Sequence, residues 1–181
     1  MFRSKSELEA GVEHIQRSPK NEGDIAMIVC RPGVGKRKVL QDAALDLHEG
    51  LVGDNWLTRG FKKSPDGSAH PDMQLNIMNA RSVELIAGAK ERWPLAGDQF
   101  YVDLDLSPEN LPPGTKLKMG DAEIIITAEP HLGCKKFSER FGRDASMFVN
   151  SDLGKALNLR GVNAKVTQPG NVNAGDRIRK I

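Results

Sequence analysis

The run Ile124-Ile125-Ile126-Thr127-Ala128-Glu129-Pro130-His131-Leu132-Gly133-Cys134-Lys135-Lys136-Phe137 reads as a buried strand that stops at a proline and hands a cysteine to a basic loop. Consecutive β-branched apolar residues suit a strand packed on both faces. Pro130 has no amide hydrogen to give a ladder, so the strand ends there. Phe137 and Phe141 stand four apart and Gly142 follows, which predicts a short helix over 135–141 closed by a glycine. Cys134 then lies at or just before a helix start, where the dipole, Lys135, Lys136 and His131 favour a thiolate. A lone cysteine is more often a small buried hydrophobe. Here glycine precedes it and two lysines follow, so Cys134 is read as the working residue.

On either side of this run the chain is built from short strands and turns. Gly120-Asp121 between two apolar segments marks a hairpin. Gly-Asp recurs at 53–54, 97–98 and 175–176 without any surrounding repeat, as turn punctuation in a closed, curved sheet. Ile25–Cys30, Val39–Leu47, Arg160–Val166 and Asp176–Ile181 read as strands, with a turn at Pro169-Gly170-Asn171. Met73–Met78 alternates like a half-buried strand, and Phe100 to Leu106 like a strand with one wet face. Asp98, Asp103 and Asp105 lack the glycine and terminal glutamate of a calcium loop and are assigned to that solvated face. Cys30, inside an apolar run, is assigned to the core.

Helices are few. Asn79 caps one carrying Val83, Leu85 and Ile86, stopped by Gly88. Ala145–Val149 and Leu153–Leu157 form two more. Leu8, Val12 and Ile15 share a face of a helix over Ser4–Arg17, capped by Ser4 with Glu7 or Ser6 with Glu9. The fold class is therefore mainly β with a few short helices: a closed β-barrel over residues 24–181, preceded by an N-terminal helical extension over 1–23.

Composition excludes several classes. A net charge of +2 with no basic block argues against nucleic acid. No apolar run approaches a membrane span, and the charged N-terminus lacks a signal-peptide core. Two cysteines in 181 residues make no disulfide framework, and a cytoplasmic setting is expected. Arg31-Pro32-Gly33-Val34-Gly35-Lys36-Arg37 has a superficial look of a triphosphate loop, but the first glycine is misplaced and Arg37 stands where Ser or Thr is needed. It is read as a glycine-rich turn between strands. Thr58–Pro71, poor in apolar residues, is a long loop, either a lid or binding loop or simply a solvated connection.

Gly50-Leu51-Val52-Gly53-Asp54, Leu111-Pro112-Pro113-Gly114-Thr115, Met119-Gly120-Asp121-Ala122, Cys134 and the ending Arg160-Gly161-Val162 … Gly170-Asn171-Val172-Asn173-Ala174-Gly175-Asp176 together resemble a MOSC domain, the C-terminal domain of molybdenum cofactor sulfurases, in its small stand-alone form. The likeness implies a MOSC-type barrel with one functional cysteine, and only Cys134 matches that position. It implies an enzyme that reduces N-hydroxylated or other N–O substrates, with Cys134 as both catalytic residue and ligand to the metal of the molybdenum cofactor (molybdopterin). Electrons would come from a partner protein. His131, Lys135, Lys136 and Arg140 are the candidates for contacting the cofactor, whose pterin carries a phosphate. The alternative is a sulfur carrier: Cys134 holds a persulfide received from a partner desulfurase, and pyridoxal phosphate belongs to that partner. A third reading is a structural or regulatory barrel with an inert cysteine.

Overall fold

A computed structural model describes residues 2–181. In chain order the strands are β1 (Glu22–Cys30), β2 (Lys38–Leu40), β3 (Asp42–Asp46), β4 (Gly50–Leu51), β5 (Leu75–Asn79), β6 (Phe100–Val102), β7 (Lys116–Met119), β8 (Ala122–Ile126), β9 (Val162–Gln168), β10 (Gly170–Asn173) and β11 (Arg177–Lys180). The helices are α1 (Lys5–Ala10), α2 (Val12–Gln16), α3 (Trp56–Arg59), α4 (Ala80–Ala87), α5 (Lys135–Phe141), α6 (Arg143–Asn150) and α7 (Asp152–Ala156). Strands β11-β7-β8-β9-β5-β6-β1 follow one another in a sheet that closes where β1 pairs with β11. The result is the closed barrel expected from the sequence. β2 extends from the far half of β1, and β10-β3-β4 form a small separate sheet.

A register shift between Ile25 and Met27 lets β1 serve two layers. Ile25, Ile28 and Cys30 point into the barrel with Leu75, Ile77, Phe100, Val102, Ile124 and Ala164. Met27 and Val29 point outward and join Met78 and Tyr101 beneath a helical layer carrying Leu8, Val83, Ile86, Phe137, Phe141 and Phe148. The parallel pair β5–β6 needs a crossover, which α4 and the 3-10 segment Lys90–Ala96 supply on this outer face.

That second layer explains the differences from the sequence reading. Strand β5 is buried throughout, not half-buried, and Tyr101 lies under the crossover, donating its hydroxyl to the Trp93 carbonyl at 2.7 Å. The N-terminal helix is broken at Gly11, where a Cβ would lie 2.4 Å from Leu85; its Ser4–Glu7 capping box is present. The segment over 39–47 is divided between β2 and β3, and Gly170 and Asn171 belong to strand β10. The Gly120-Asp121 hairpin, the Asn79 cap and helix α5 closed by Gly142 are as read from the residues.

Gly161, between Arg160 and β9, has φ +110°, and a Cβ there would lie 2.2 Å from the Ile77 carbonyl oxygen. Gly161→Ala should cost about 2–4 kcal/mol, as strained backbone plus overpacking. Urea unfolding checks this: the midpoint should fall while the slope stays unchanged.

Candidate functional site

A cleft of about 470 Å³ lies between the β1–β2 loop, the stretch 55–61, the turn ending at Gly97, and α5. Cys134 is exposed, lines this cleft, and is the N-cap residue of α5. Its backbone is fixed on both sides. Gly133 donates its N–H to Asn150 Oδ1 at 2.9 Å, and its carbonyl accepts from Asn150 Nδ2 at 3.0 Å. The Cys134 carbonyl accepts the first amides of α5, from Phe137 and Ser138. Cys30, by contrast, is sealed in the core, and burial first and Asp54 second push its thiol pKa up.

The cleft wall is organised by four successive carbonyls at the end of the 3-10 segment. Arg37 Nε donates to the Pro94 carbonyl at 3.1 Å and Arg140 Nη1 to Leu95 at 2.7 Å. Arg160 Nη2 donates to Ala96 at 3.0 Å and Arg31 Nη1 to Gly97 at 3.0 Å. All four arginines line the cleft, together with Arg59 and Lys136, against one carboxylate, Glu139.

Two of the four are neutralised from behind. Arg31 forks onto Asp54 at 2.8 and 2.9 Å and also reaches Asn76. Arg160 binds both oxygens of Asp98 at 2.9 and 2.7 Å and lies over the Phe137 ring. Asp98 is therefore fully buried, not on a solvated strand face as expected. An isolated carboxylate would not be tolerated there; Arg160 arrives from 62 residues away. His131 Nε2 lies 2.7 Å from Asp98 Oδ1. Burial by itself would raise the Asp98 pKa, but Arg160 and then His131 outweigh it and hold the group below the usual carboxylate range. The His131 pKa is pushed below 6.5, by burial first and Arg160 second, with Asp98 opposing. A carboxylate only accepts, so the neutral imidazole carries its proton on Nε2.

Of the residues singled out from sequence, Cys134, His131, Lys136 and Arg140 meet in this cleft. Lys135 is exposed and outside its lining. Sequence reading gave Arg59 and Asn76 no role, assigned Arg31 and Arg37 to a turn and Asp98 to a solvated face, and used Arg160 only as part of a strand and of the family motif. Only the basic density of 31–37 offered a signal for any of them.

The closed barrel, the basic cleft and the exposed thiol at its edge together make up the candidate site. The MOSC domain model matches residues 64–179, nearly two thirds of the chain, and the protein belongs to that family, whose members are associated with the molybdenum cofactor. Its fold is similar to that of the YuaD protein from Bacillus subtilis, with 17% identity, 87% of this chain and 94% of that one covered, and a TM-score of 0.60. It is also similar to YiiM from Escherichia coli, with 22% identity, coverage of 87% and 69%, and a TM-score of 0.56. YiiM from Geobacillus stearothermophilus matches with 14% identity, coverage of 88% and 75%, and a TM-score of 0.57. No curated protein matches the sequence. No helix among the described residues is long and apolar enough to cross a membrane.

The donor set suits a metal that brings its own ligands. Among the described residues no three His, Cys, Asp or Glu side chains gather as a metal site; the soft ligand that the cleft lining would offer is the sulfur of Cys134. The cleft is of ligand size, and the buried Asn55 Oδ1 in its lining has no hydrogen-bond partner among the described residues. The cation excess suits a phosphate-bearing group.

Removing the Asp98 carboxylate strands a buried guanidinium. Asp98→Ala should cost about 3–5 kcal/mol in urea unfolding. The pH dependence has one sign for both groups, because the unfolded chain binds more protons than the folded one. The Asp98 contribution is complete above its unfolded value of 3.8 and is lost as pH falls through the depressed folded value. The His131 contribution fades as pH falls below 6.5. Unfolding free energy should therefore decline on acidification from neutrality, and His131→Gln should flatten the part of that decline just below 6.5.

Proposed function

We propose that the protein binds the molybdenum cofactor in this cleft, with Cys134 as the protein ligand to the metal, and reduces N-hydroxylated substrates with electrons from a partner protein. The observation that carries this reading is an exposed thiol on a pinned backbone, opening onto a cleft whose cations outnumber its carboxylates. When bound, the cofactor supplies two-electron redox chemistry that no side chain here provides. The chain's own residues hold and orient. Arg37, Arg140, Arg59 and Lys136 offer positive charge to the ligand's anionic end. Arg31 and Arg160, already paired with carboxylates, hold the cleft wall in shape. His131, fixed by Asp98, adds a neutral imidazole to the lining at neutral pH. Reducing an N–O bond to an amine and water consumes two electrons and two protons, and the imidazole is suited to passing the protons.

The exposure of Cys134 also favours a second reading, that of a persulfide carrier docking with a desulfurase. In that reading pyridoxal phosphate works in the partner and Cys134 alone is chemically used here.

Both readings are tested in protein expressed in a cofactor-producing host and purified without oxygen. Bound molybdenum and pterin are expected near equimolar amounts, falling to background in Cys134→Ser. Turnover of an N-hydroxylated base by the loaded protein would establish the enzyme reading. Metal-free protein carrying a persulfide on Cys134 would overturn it in favour of the carrier.

A further inference from the structure

A second cavity, of about 320 Å³, is bordered by the 130–132 segment, α6, α7 and the turn ahead of β9. It shares His131 and Arg160 with the cleft and no other residue, so neither Cys134 nor Arg31, Arg37 or Arg140 lines it. Its walls are set by close packing. A Cβ at Gly154 would lie 2.3 Å from the Phe148 carbonyl oxygen, so α7 is seated directly on the end of α6. Asn158 takes the left-handed backbone, φ +47°, which asparagine tolerates better than most residues. Its carbonyl accepts the Gly161 amide at 2.7 Å, and the turn so closed delivers Arg160. Pro130, Leu132 and Val149 supply apolar surface.

The polar groups are few and their state is defined. Arg160 is 5% exposed, with Nη1 on Asp98 and Nη2 on the Ala96 carbonyl. Its Nε has no hydrogen-bond partner among the described residues and is closed to solvent, so this donor carries an uncompensated desolvation cost. His131 Nε2 meets the same Asp98 oxygen that Arg160 Nη1 does, at 2.7 and 2.9 Å, which makes the two side chains neighbours. With its proton on Nε2, the imidazole keeps Nδ1 as a bare acceptor. Neither group offers net charge. Asp98 matches the guanidinium, and burial first and Arg160 second keep the imidazole neutral at neutral pH. Lys155 is the remaining charge in the lining, and it is exposed, where water screens it.

One water would satisfy one N–H, and the cavity is far larger than one water. Its volume falls at the low end of ligand pockets, about 300–1,000 Å³, and it shares their pattern of apolar walls with a few placed polar groups. We propose that this cavity binds a small uncharged carboxamide-type molecule, whose carbonyl accepts from Arg160 Nε and whose N–H donates to His131 Nδ1. An anion is disfavoured because the guanidinium charge that would pair with it is already matched by Asp98. A hydrocarbon would leave both polar groups unpaired. The site requires no metal and neither role of Cys134.

The test is methyl NMR on the full-length protein at neutral pH and constant ionic strength, titrated with isobutyramide, methyl isopropyl ketone and isobutyrate. The three share an isopropyl body. The ketone keeps the acceptor and lacks the donor, and the carboxylate adds charge. Isobutyramide should shift the Leu132 and Val149 methyl signals saturably, with a millimolar dissociation constant, and leave those of Val34 in the cleft unmoved. The ketone should bind about tenfold more weakly, for the loss of one buried hydrogen bond, and isobutyrate not measurably. His131→Phe should weaken amide binding about tenfold, to the level of the ketone, and leave ketone binding unchanged. Lys155→Gln should change neither. Circular dichroism and urea unfolding check that the variants fold, and the comparison of ligands in the parent protein decides if His131→Phe does not. Equal binding of amide and ketone, isobutyrate binding as tightly as the amide, shifts confined to Val34, or no saturation well above millimolar ligand overturns the proposal.

Discussion

The cleft depends on one short stretch of backbone. The last carbonyls of a helical segment largely lack intrahelical donors and carry the negative end of its dipole, though here the Pro94 carbonyl also accepts the Gly97 amide. From Pro94 to Gly97 each of these carbonyls is taken by a different arginine: Arg37, Arg140, Arg160 and Arg31. Hydrogen bonds to charged donors contribute about 1.5–3 kcal/mol each where solvent is limited. Their larger effect is geometric. The β1–β2 loop, α5 and the approach to β9 are tied to one turn, and the turn is positioned by the crossover that the parallel pair β5–β6 requires.

The four arginines differ in how their charge is met, and burial decides which. Arg31 and Arg160 are buried, and a buried guanidinium on carbonyls alone would carry an uncompensated desolvation cost. Each has a fully buried carboxylate, Asp54 or Asp98. Arg37 and Arg140 are only half-buried, so water moderates their charge and no carboxylate is needed. The division gives the wall two components: a neutral frame that holds its shape in the empty protein, and a pair of cations whose field is not spent internally.

The parts legible in the sequence were those set by local signals. The hairpin at Gly120-Asp121, the Asn79 cap and the span of α5 follow from turn chemistry and periodicity within a few residues, and closure of the barrel followed from many such turns together. The arginine array had no such signal. Its acceptors are backbone carbonyls, which every residue possesses, and its donors lie 45 to 66 positions away. Asp98 shows the same limit. Next to Asp103 and Asp105 it looks like one acidic face, yet Asp103 is a partly exposed partner of Arg81 while Asp98 is sealed against Arg160. Alternation identifies which side of a strand a residue occupies; it does not say what covers that side. Here the outer side is covered by helices, which is why β5 and Tyr101 are buried where a wet face was expected.

The two cysteines separate along the same line. Cys30 has apolar neighbours in sequence and in space, and its thiol is buried and harder to ionise. Cys134 is exposed, and exposure at the end of a loop ordinarily brings mobility. Its backbone is held regardless. The Asn150 side-chain amide pairs with both polar groups of Gly133, and a Cβ at Gly133 would come within 2.9 Å of that amide and of Val149. On the other side, helix α5 starts on the Cys134 carbonyl and is anchored by the buried Phe137 and Phe141. A cysteine that served only to fill space would gain nothing from a rigid, solvent-facing mount. A thiol on a cleft wall shared with Arg37 and Arg140 is thereby held at a set distance from them. The same α5 that begins at Cys134 carries Arg140 to the turn, so one helix sets that distance.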